Sequence, residues 1–290
     1  MTDTIVNAWQ TLLSAHMGWV LVAFGLYVTA LLVAGARWAV LVRALGGRVG
    51  WRDSTLAIFA GIFVNNVTPT GRLGGEACRI LITRMRGELA LSRGALALLC
   101  DRLGDAIAIV GLVVLALPVL GPLGAARLHT AVIVLAIVAA VLLVFGRWLR
   151  RALHATLTAW QRDLRSSSLG RREITVALGC SFLIWGEDLL RLLAASAALG
   201  VSLTVPQAAA LAVIAVLGAF APTIGGIGAV EGGLVGGLLL FGISLDTAIA
   251  ITTVERVISY GFSTVTGGAI LMSIGGTTLL RTALGRGRAT

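Results

Sequence analysis

The sequence predicts an all-α integral membrane protein, a polytopic helical bundle of about six full spans plus two re-entrant or broken helical hairpins arranged as an inverted repeat. Three observations predict it. Hydrophobic residues fill 58% of the 290 positions against 12% charged, and mean hydropathy is +0.97, so lipid has to solvate much of the surface. Apolar runs recur at the length that crosses about 30 Å of hydrocarbon, roughly 20 residues. Two Gly-rich segments, each opened by a proline and each holding a glutamate, interrupt shorter apolar runs in the two halves of the chain.

The runs of spanning length lie near 18–36, 94–117, 129–147, 174–199 and 247–275, and shorter ones at 55–67, 206–221 and 228–242. Basic residues orient them, because cytoplasmic loops collect arginine. Arg147, Arg150, Arg151, Arg162, Arg165, Arg171 and Arg172 mark 147–172 as a cytoplasmic, interfacial amphipathic stretch on anionic headgroups. Arg281, Arg286 and Arg288 put the C-terminus in the cytoplasm, and Arg37, Arg43, Arg48 and Arg52 put the end of the first helix there. The connections at 118–128, 200–205 and 243–246 hold Arg127 alone and so face outward. These assignments close when the first helix runs from outside to inside, which leaves the N-terminus outside. Residues 55–86 then form a hairpin entered from the cytoplasm, and 206–242 one entered from outside. Full crossings by 206–221 and 228–242 would leave both termini where they are. Trp19 and Trp38 bracket the first helix as interfacial anchors would, about 28 Å apart. The whole chain, 1–290, reads as one transmembrane domain in the inner membrane, with halves near 18–117 and 174–275.

Composition excludes other classes. All 23 basic residues are arginine and the net charge is +10, but the loops hold most of that charge, so it reads as membrane orientation and not as nucleic acid binding. Cys78, Cys100 and Cys180 lack CxxC spacing and His16, His129 and His154 are isolated, so neither metal nor cofactor is expected. The N-terminal residues lack the basic region and cleavage site of a signal peptide, and the first apolar run is expected to be retained. No GxxxxGK[ST] phosphate loop occurs, so nucleotide hydrolysis is not the expected drive.

The halves correspond where charge enters the membrane. Pro69 opens TPTGRLGGEACR with Glu76, and Arg102 follows in CDRLGD; Pro222 opens APTIGGIGAVEGG with Glu231, and Arg256 follows in TVERVIS. The glutamate-to-arginine separations are 26 and 25 residues. Each arginine lies roughly 12–14 Å deep, from opposite faces. Inverted repeats with broken helices in equivalent positions build secondary transporters, with the substrate near the midplane. The bland alternative is that Pro and Gly only permit close helix packing.

On these residues, NNVTPTGRLGGEACR with CDRLGD and APTIGGIGAVEGG with TVERVISY, the chain resembles the flippase-like membrane family that includes the transmembrane region of lysylphosphatidylglycerol synthase. The resemblance covers nearly the whole length. It implies translocation of lipids between leaflets, including aminoacylated phospholipids and polyprenyl-phosphate-linked sugars. The aminoacyl-transferase domain that accompanies this region in the synthase is absent from a chain ending at Thr290, so lipid synthesis is expected to belong to a separate enzyme, and this chain is not expected to be an enzyme.

The residues themselves agree in kind. A charge at the bilayer centre costs at least about 2.5–3.5 kcal/mol, so Glu76, Arg79, Asp101, Arg102, Asp105, Glu231, Glu255 and Arg256 are expected to face one another or a wet cavity. Arg72, Arg79, Arg102 and Arg256 are candidate phosphate ligands, because a guanidinium fork matches phosphate oxygens. Helix N-termini near Gly74–Glu76 and Gly228–Val230 would add N–H groups. Glu76 and Glu231 would hold the arginines in the empty state or carry protons. Asn65, Asn66, Asp101, Asp105 and Glu255 are candidate supporting residues. Simple ion pairs of Glu76 with Arg102 and of Glu231 with Arg256 are the structural alternative. In WGEDLLR, Glu187 is expected to pair locally with Arg191.

The expected activity is translocation of an anionic or phosphate-containing lipid. A secondary transporter of a small soluble anion and a membrane-embedded lipid-phosphate enzyme are the alternatives. Anionic membrane lipids are the expected partners, with further copies of the chain and a lipid-synthesising enzyme left open.

Overall fold

The computed structural model describes residues 2–69, 72–119, 167–221 and 223–275. The run at 129–147, Arg127, the arginines from 147 to 165, Pro222 and the arginines after 280 lie outside the described residues. Ten α-helices and no strand occur among those described: α1 (Thr2–Leu13), α2 (Met17–Ala44), α3 (Trp51–Val67), α4 (Leu73–Gly87), α5 (Leu91–Ala116), α6 (Arg171–Ala197), α7 (Val205–Ala219), α8 (Ala229–Leu240), α9 (Leu245–Arg256) and α10 (Ser263–Ser273). A π-helical turn, Val257–Phe262, makes α9 and α10 one continuous rod. By length and composition α2 and the rod Leu91–Val119 are apolar enough to cross a membrane, with mean hydropathies of 2.1 and 2.0.

The element ends follow local chemistry. Thr68 is extended (φ −121°, ψ 142°) and ends α3, as the residue before a proline is pushed out of the helical region by the ring of Pro69. α4 starts from Arg72 in the left-handed region (φ 73°), and α8 starts from Gly228 (φ 86°), whose N–H donates to Oε2 of Glu231 at 2.7 Å. α7 opens on a capping box in which Thr204 and Gln207 exchange hydrogen bonds. α2 runs eight residues past the expected end at 36, because Arg37 is neutralised inside the bundle instead of standing in a loop. Helix α1 was not anticipated; it packs against α9.

The order long helix, helix pair across a break, long helix occurs twice: α2, α3–α4, α5, and again α6, α7–α8, α9–α10. α2 packs along α6, α3 against α10, and α5 against α7. Small residues set the closest approaches, as is usual where lipid gives helices no hydrophobic drive to associate. An alanine Cβ at Gly75 would lie 2.1 Å from the Gly61 carbonyl oxygen and 2.5 Å from the Asn65 amide. Gly75→Ala is therefore expected to cost about 1–3 kcal/mol through backbone displacement, read as a lowered thermal midpoint of purified protein in detergent.

Among the described residues two large apolar clusters and a small one, Ala57, Ala60 and Ile82, form the core. One large cluster gathers Trp38, Leu41, Leu45, Ile58 and Phe59; the other gathers Trp185, Leu189, Leu192, Leu211, Leu234 and Ile251. Trp38 belongs to the first with 0% exposure, which corrects its reading as an interfacial anchor. Its indole N–H donates to Thr83 at 2.8 Å. Outward positions are apolar, with Leu240 86%, Met272 76% and Val265 75% exposed.

Candidate functional site

A cavity of about 300 Å³ opens where the two large apolar clusters meet, bounded by Tyr27, Leu31 and Ile58 on one side and Trp185, Leu192, Val216 and Val230 on the other. Six arginines line it, Arg37, Arg72, Arg79, Arg102, Arg191 and Arg256, with Glu76, Asp105, Asp188 and Glu255 between them. Such a density of charge among apolar helices persists only where every charge has a partner or water.

Asp101 organises one wall. Its carboxylate is 1% exposed and lies behind the cavity lining. Oδ1 pairs with Arg37 Nε at 2.7 Å, and Oδ2 accepts from Arg79 at 2.9 Å and Arg102 at 2.8 Å. Asp105 takes Arg37 at 2.5 Å, Arg102 at 3.2 Å and the indole N–H of Trp185 at 3.2 Å. Glu76, one turn into α4, takes Arg79 at 2.8 Å and Arg102 at 3.6 Å. The Arg79 guanidinium also lies over the Trp38 ring, 4.0 Å from its centroid, a favourable cation–π placement. Three cations thus interlock with three carboxylates, and only Arg102, with 36% of its side chain accessible, reaches well into the cavity.

The opposite wall is built by α6 and the rod α9–α10. Arg191 bonds to Glu255 and, at 2.9 Å, to Asp188. Its guanidinium faces the Tyr27 ring at 5.3 Å, and the Ser259 hydroxyl donates to Glu255 at 3.3 Å. Next to Glu255 in the chain, Arg256 pairs through Nε with Glu231 at 2.7 Å, and its Nη2 donates to the Gly225 carbonyl at 3.1 Å. Glu231 stands outside the main lining; with Arg256 and Tyr260 it borders an adjoining groove.

The breaks meet at the cavity. Tyr260 OH donates to the Asn66 carbonyl at 3.1 Å, and the Asn66 side chain donates to Thr264 at 2.8 Å. A Cβ on Gly225 would lie 2.3 Å from the Tyr260 ring and 3.0 Å from the Asn66 carbonyl oxygen, so only glycine permits this approach. Asn65 accepts from the N–H of Gly75 at 2.7 Å, as Glu231 does from Gly228. Two of the N–H groups expected to be free at the helix starts are therefore already bonded, because a bilayer offers no water to hold them open.

Arg72 differs from its neighbours. No carboxylate of the described residues lies within ion-pair distance of it; its guanidinium lies 5.4 Å from the centroid of the Phe220 ring. Among the described residues it is the cavity arginine without an ion-pair partner, which leaves its guanidinium to an incoming anion.

Nine residues singled out from sequence line this one cavity: Asn65, Asn66, Arg72, Glu76, Arg79, Arg102, Asp105, Glu255 and Arg256. Asp101 and Glu231 join them through their arginines. The sequence reading missed Arg37, Asp188 and Arg191 as members. Arg37 reads in sequence as a loop arginine, but it is 3% exposed. The expected Glu187–Arg191 pair does not form, since Arg191 turns to Asp188 three residues away and to Glu255 on another helix, and Oε2 of Glu187 is buried without a hydrogen-bond partner.

The model of one protein family, described as the lysylphosphatidylglycerol synthase TM region, matches residues 5–267. Among curated proteins, a UPF0104 membrane protein of Pyrococcus horikoshii is 24% identical over 91% of this chain and 89% of its own length. A second, from Methanothermobacter thermautotrophicus, is 25% identical over 89% of this chain and 86% of its own. A third, from Methanocaldococcus jannaschii, is 33% identical over 24% of this chain and 21% of its own.

Proposed function

Because this chain belongs to the family of the lysylphosphatidylglycerol synthase transmembrane region, and so is a membrane protein, we propose that it translocates an anionic, phosphate-bearing lipid between leaflets. One observation carries the reading: Arg72 presents an uncommitted guanidinium to a charge-lined cavity buried among apolar helices. A phosphate oxygen pair is the chemical match to that planar fork. Arg102 and Arg256, partly accessible in the same cavity, extend the path by exchanging carboxylate partners for phosphate. The headgroup crosses through the polar interior while acyl chains stay in lipid. Phospholipids, aminoacylated phospholipids and polyprenyl-phosphate-linked lipids all carry the required phosphate.

In this reading the two halves are an inverted repeat whose breaks meet at the midplane. The twofold element order, the crossed packing of α3 on α10 and α5 on α7, and the matched Glu76–Arg102 and Glu231–Arg256 pairs support it. Placement in the inner membrane with a cytoplasmic C-terminus and an outer N-terminus follows from the arginine distribution. The chain acts as a transporter and not as an enzyme, on lipid made by a separate synthesising enzyme.

The test is leaflet exchange of a fluorescent phosphatidylglycerol in proteoliposomes. Wild type should exchange it, and Arg72→Ala should slow exchange by about 10- to 100-fold, the loss of about 1.5–3 kcal/mol that one hydrogen bond to a charged group contributes. Equal rates in both proteins, or no exchange above protein-free vesicles, would overturn the assignment. Uptake of a soluble anion without lipid exchange would identify a small-anion transporter, and release of phosphate from polyprenyl phosphate would identify an enzyme.

A further inference from the structure

Charge is unevenly distributed around the cavity. At Asp101, three guanidinium groups face three carboxylates, and Arg256 faces Glu231 one to one. At the opposite wall two carboxylates, Asp188 of α6 and Glu255 of α9, share the single guanidinium of Arg191. Glu255 is 5% exposed and Arg191 7%, and Arg191 Nε has no hydrogen-bond partner. The cluster therefore holds a surplus negative charge at the cavity wall, on a buried Glu255 and an Asp188 that keeps 27% of its side chain accessible, next to a buried guanidinium with one unbonded donor. A surplus buried charge is costly, and acquiring a proton removes it.

The groups around this pair leave the surplus uncancelled. From α2 comes the Tyr27 ring, and from the π turn the Ser259 hydroxyl. Arg102 and Asp105 of α5, which line the same cavity, are bonded to each other, and Arg256 is held by Glu231. α7 carries no charged residue. Arg72, the remaining cation of the cavity lining, stands at the Phe220 ring within electrostatic reach of Asp188, but beside Asp188 the Glu187 carboxylate, its Oε2 buried without a partner, adds a further negative charge and so restores the surplus.

We propose that Asp188 and Glu255 form the proton-binding site of a one-to-one proton–lipid symport, an inference that rests on the lipid-translocating function above. A proton bound to Asp188 at Oδ1 frees Arg191 Nη2. With its open Nε, Arg191 then offers a phosphate the two parallel donors of a fork. When the headgroup leaves, Arg191 returns to Asp188 and the proton departs on the same side as the lipid. One proton and one singly charged headgroup move together, so the cycle is electroneutral.

The experiment uses the full chain in phosphatidylcholine liposomes containing fluorescent phosphatidylglycerol, under an imposed gradient of one pH unit. The probe is expected to collect in the leaflet facing the alkaline compartment, to a ratio approaching about tenfold, the factor that one pH unit corresponds to for one coupled proton. A potassium diffusion potential should leave this ratio unchanged, and nigericin should return it to equality. Asp188→Asn is expected to distribute the probe equally despite the gradient. Wild-type exchange that runs to equal distribution under the gradient overturns the coupling while leaving lipid translocation standing; absence of any exchange overturns both. Should Asp188→Asn fail to assemble, proton uptake by wild type on adding phosphatidylglycerol in weakly buffered detergent decides: about one proton per lipid supports the site, and none overturns it.

Discussion

Asp101→Ala is expected to yield no stably folded protein, with a loss of about 3–5 kcal/mol, the cost of leaving buried charges without their counter-charge. Arg37, Arg79 and Arg102 all form ion pairs with this one carboxylate, and two of the three are themselves buried. Removing it leaves Glu76 and Asp105 to balance three guanidinium groups from three helices, α2, α4 and α5. Those helices would separate or admit water. Thermal unfolding monitored by size exclusion in detergent measures the effect. The exposed pair of Asp53 and Arg86, whose side chains keep 37% and 38% of their accessibility, supplies the contrast. There Asp53→Ala should cost no more than about 1 kcal/mol, because water already screens the pair. Equal losses at the two positions would show that burial is not what makes Asp101 costly to remove.

Arg256→Ala is expected to reduce lipid exchange by about 100-fold or more while leaving a folded protein. Arg256 makes two bonds that no neighbour duplicates, one to Glu231 and one to the Gly225 carbonyl. Each hydrogen bond to a charged group contributes about 1.5–3 kcal/mol, and together they fix the second break against the rod α9–α10. Their loss frees the Gly225 segment from the Tyr260 ring and displaces donors from the headgroup path. Both side chains keep partial accessibility, 16% for Arg256 and 34% for Glu231, so water tempers the cost to stability. Tyr260→Phe, which removes only the bond to the Asn66 carbonyl, should slow exchange by no more than about tenfold, near 1 kcal/mol. Exchange rates of the two variants in the same vesicles check the order; a larger effect from Tyr260→Phe would contradict it.

Much of this arrangement was legible in the sequence, and the reasons are specific. Pro69 and the glycines after it mark the end of α3 and the start of α4 because ring sterics and backbone permissiveness act locally. The nearly equal spacing from glutamate to arginine, 26 and 25 residues, pointed to pairs that do form, Glu76 with Arg102 and Glu231 with Arg256. Less legible were partners distant in the chain. Nothing near Arg191 in sequence announces Glu255, 64 residues on. Helical spacing permits both Glu187 and Asp188 to approach Arg191, and tertiary packing chose the second. Arg37 illustrates the same limit: an arginine just past an apolar run reads as a loop residue until Asp101 and Asp105 are seen to receive it. Trp38 was misread for the same reason, since an indole suits both an interface and a core with a hydroxyl at hand.

The widened turn at Val257–Phe262 sets the angular position of everything after it. A helix advances about 100° per residue, and the wide turn absorbs one extra residue, so winding the same residues as regular α-helix would swing the following segment by roughly that angle relative to α9. Ser263 and Thr264 would rotate out of reach of the Asn66 amide, and Gly267 away from the Phe59 carbonyl it now abuts. The mutual alignment of the chain's two halves along this seam thus depends on one turn that winds wide enough to take in an extra residue.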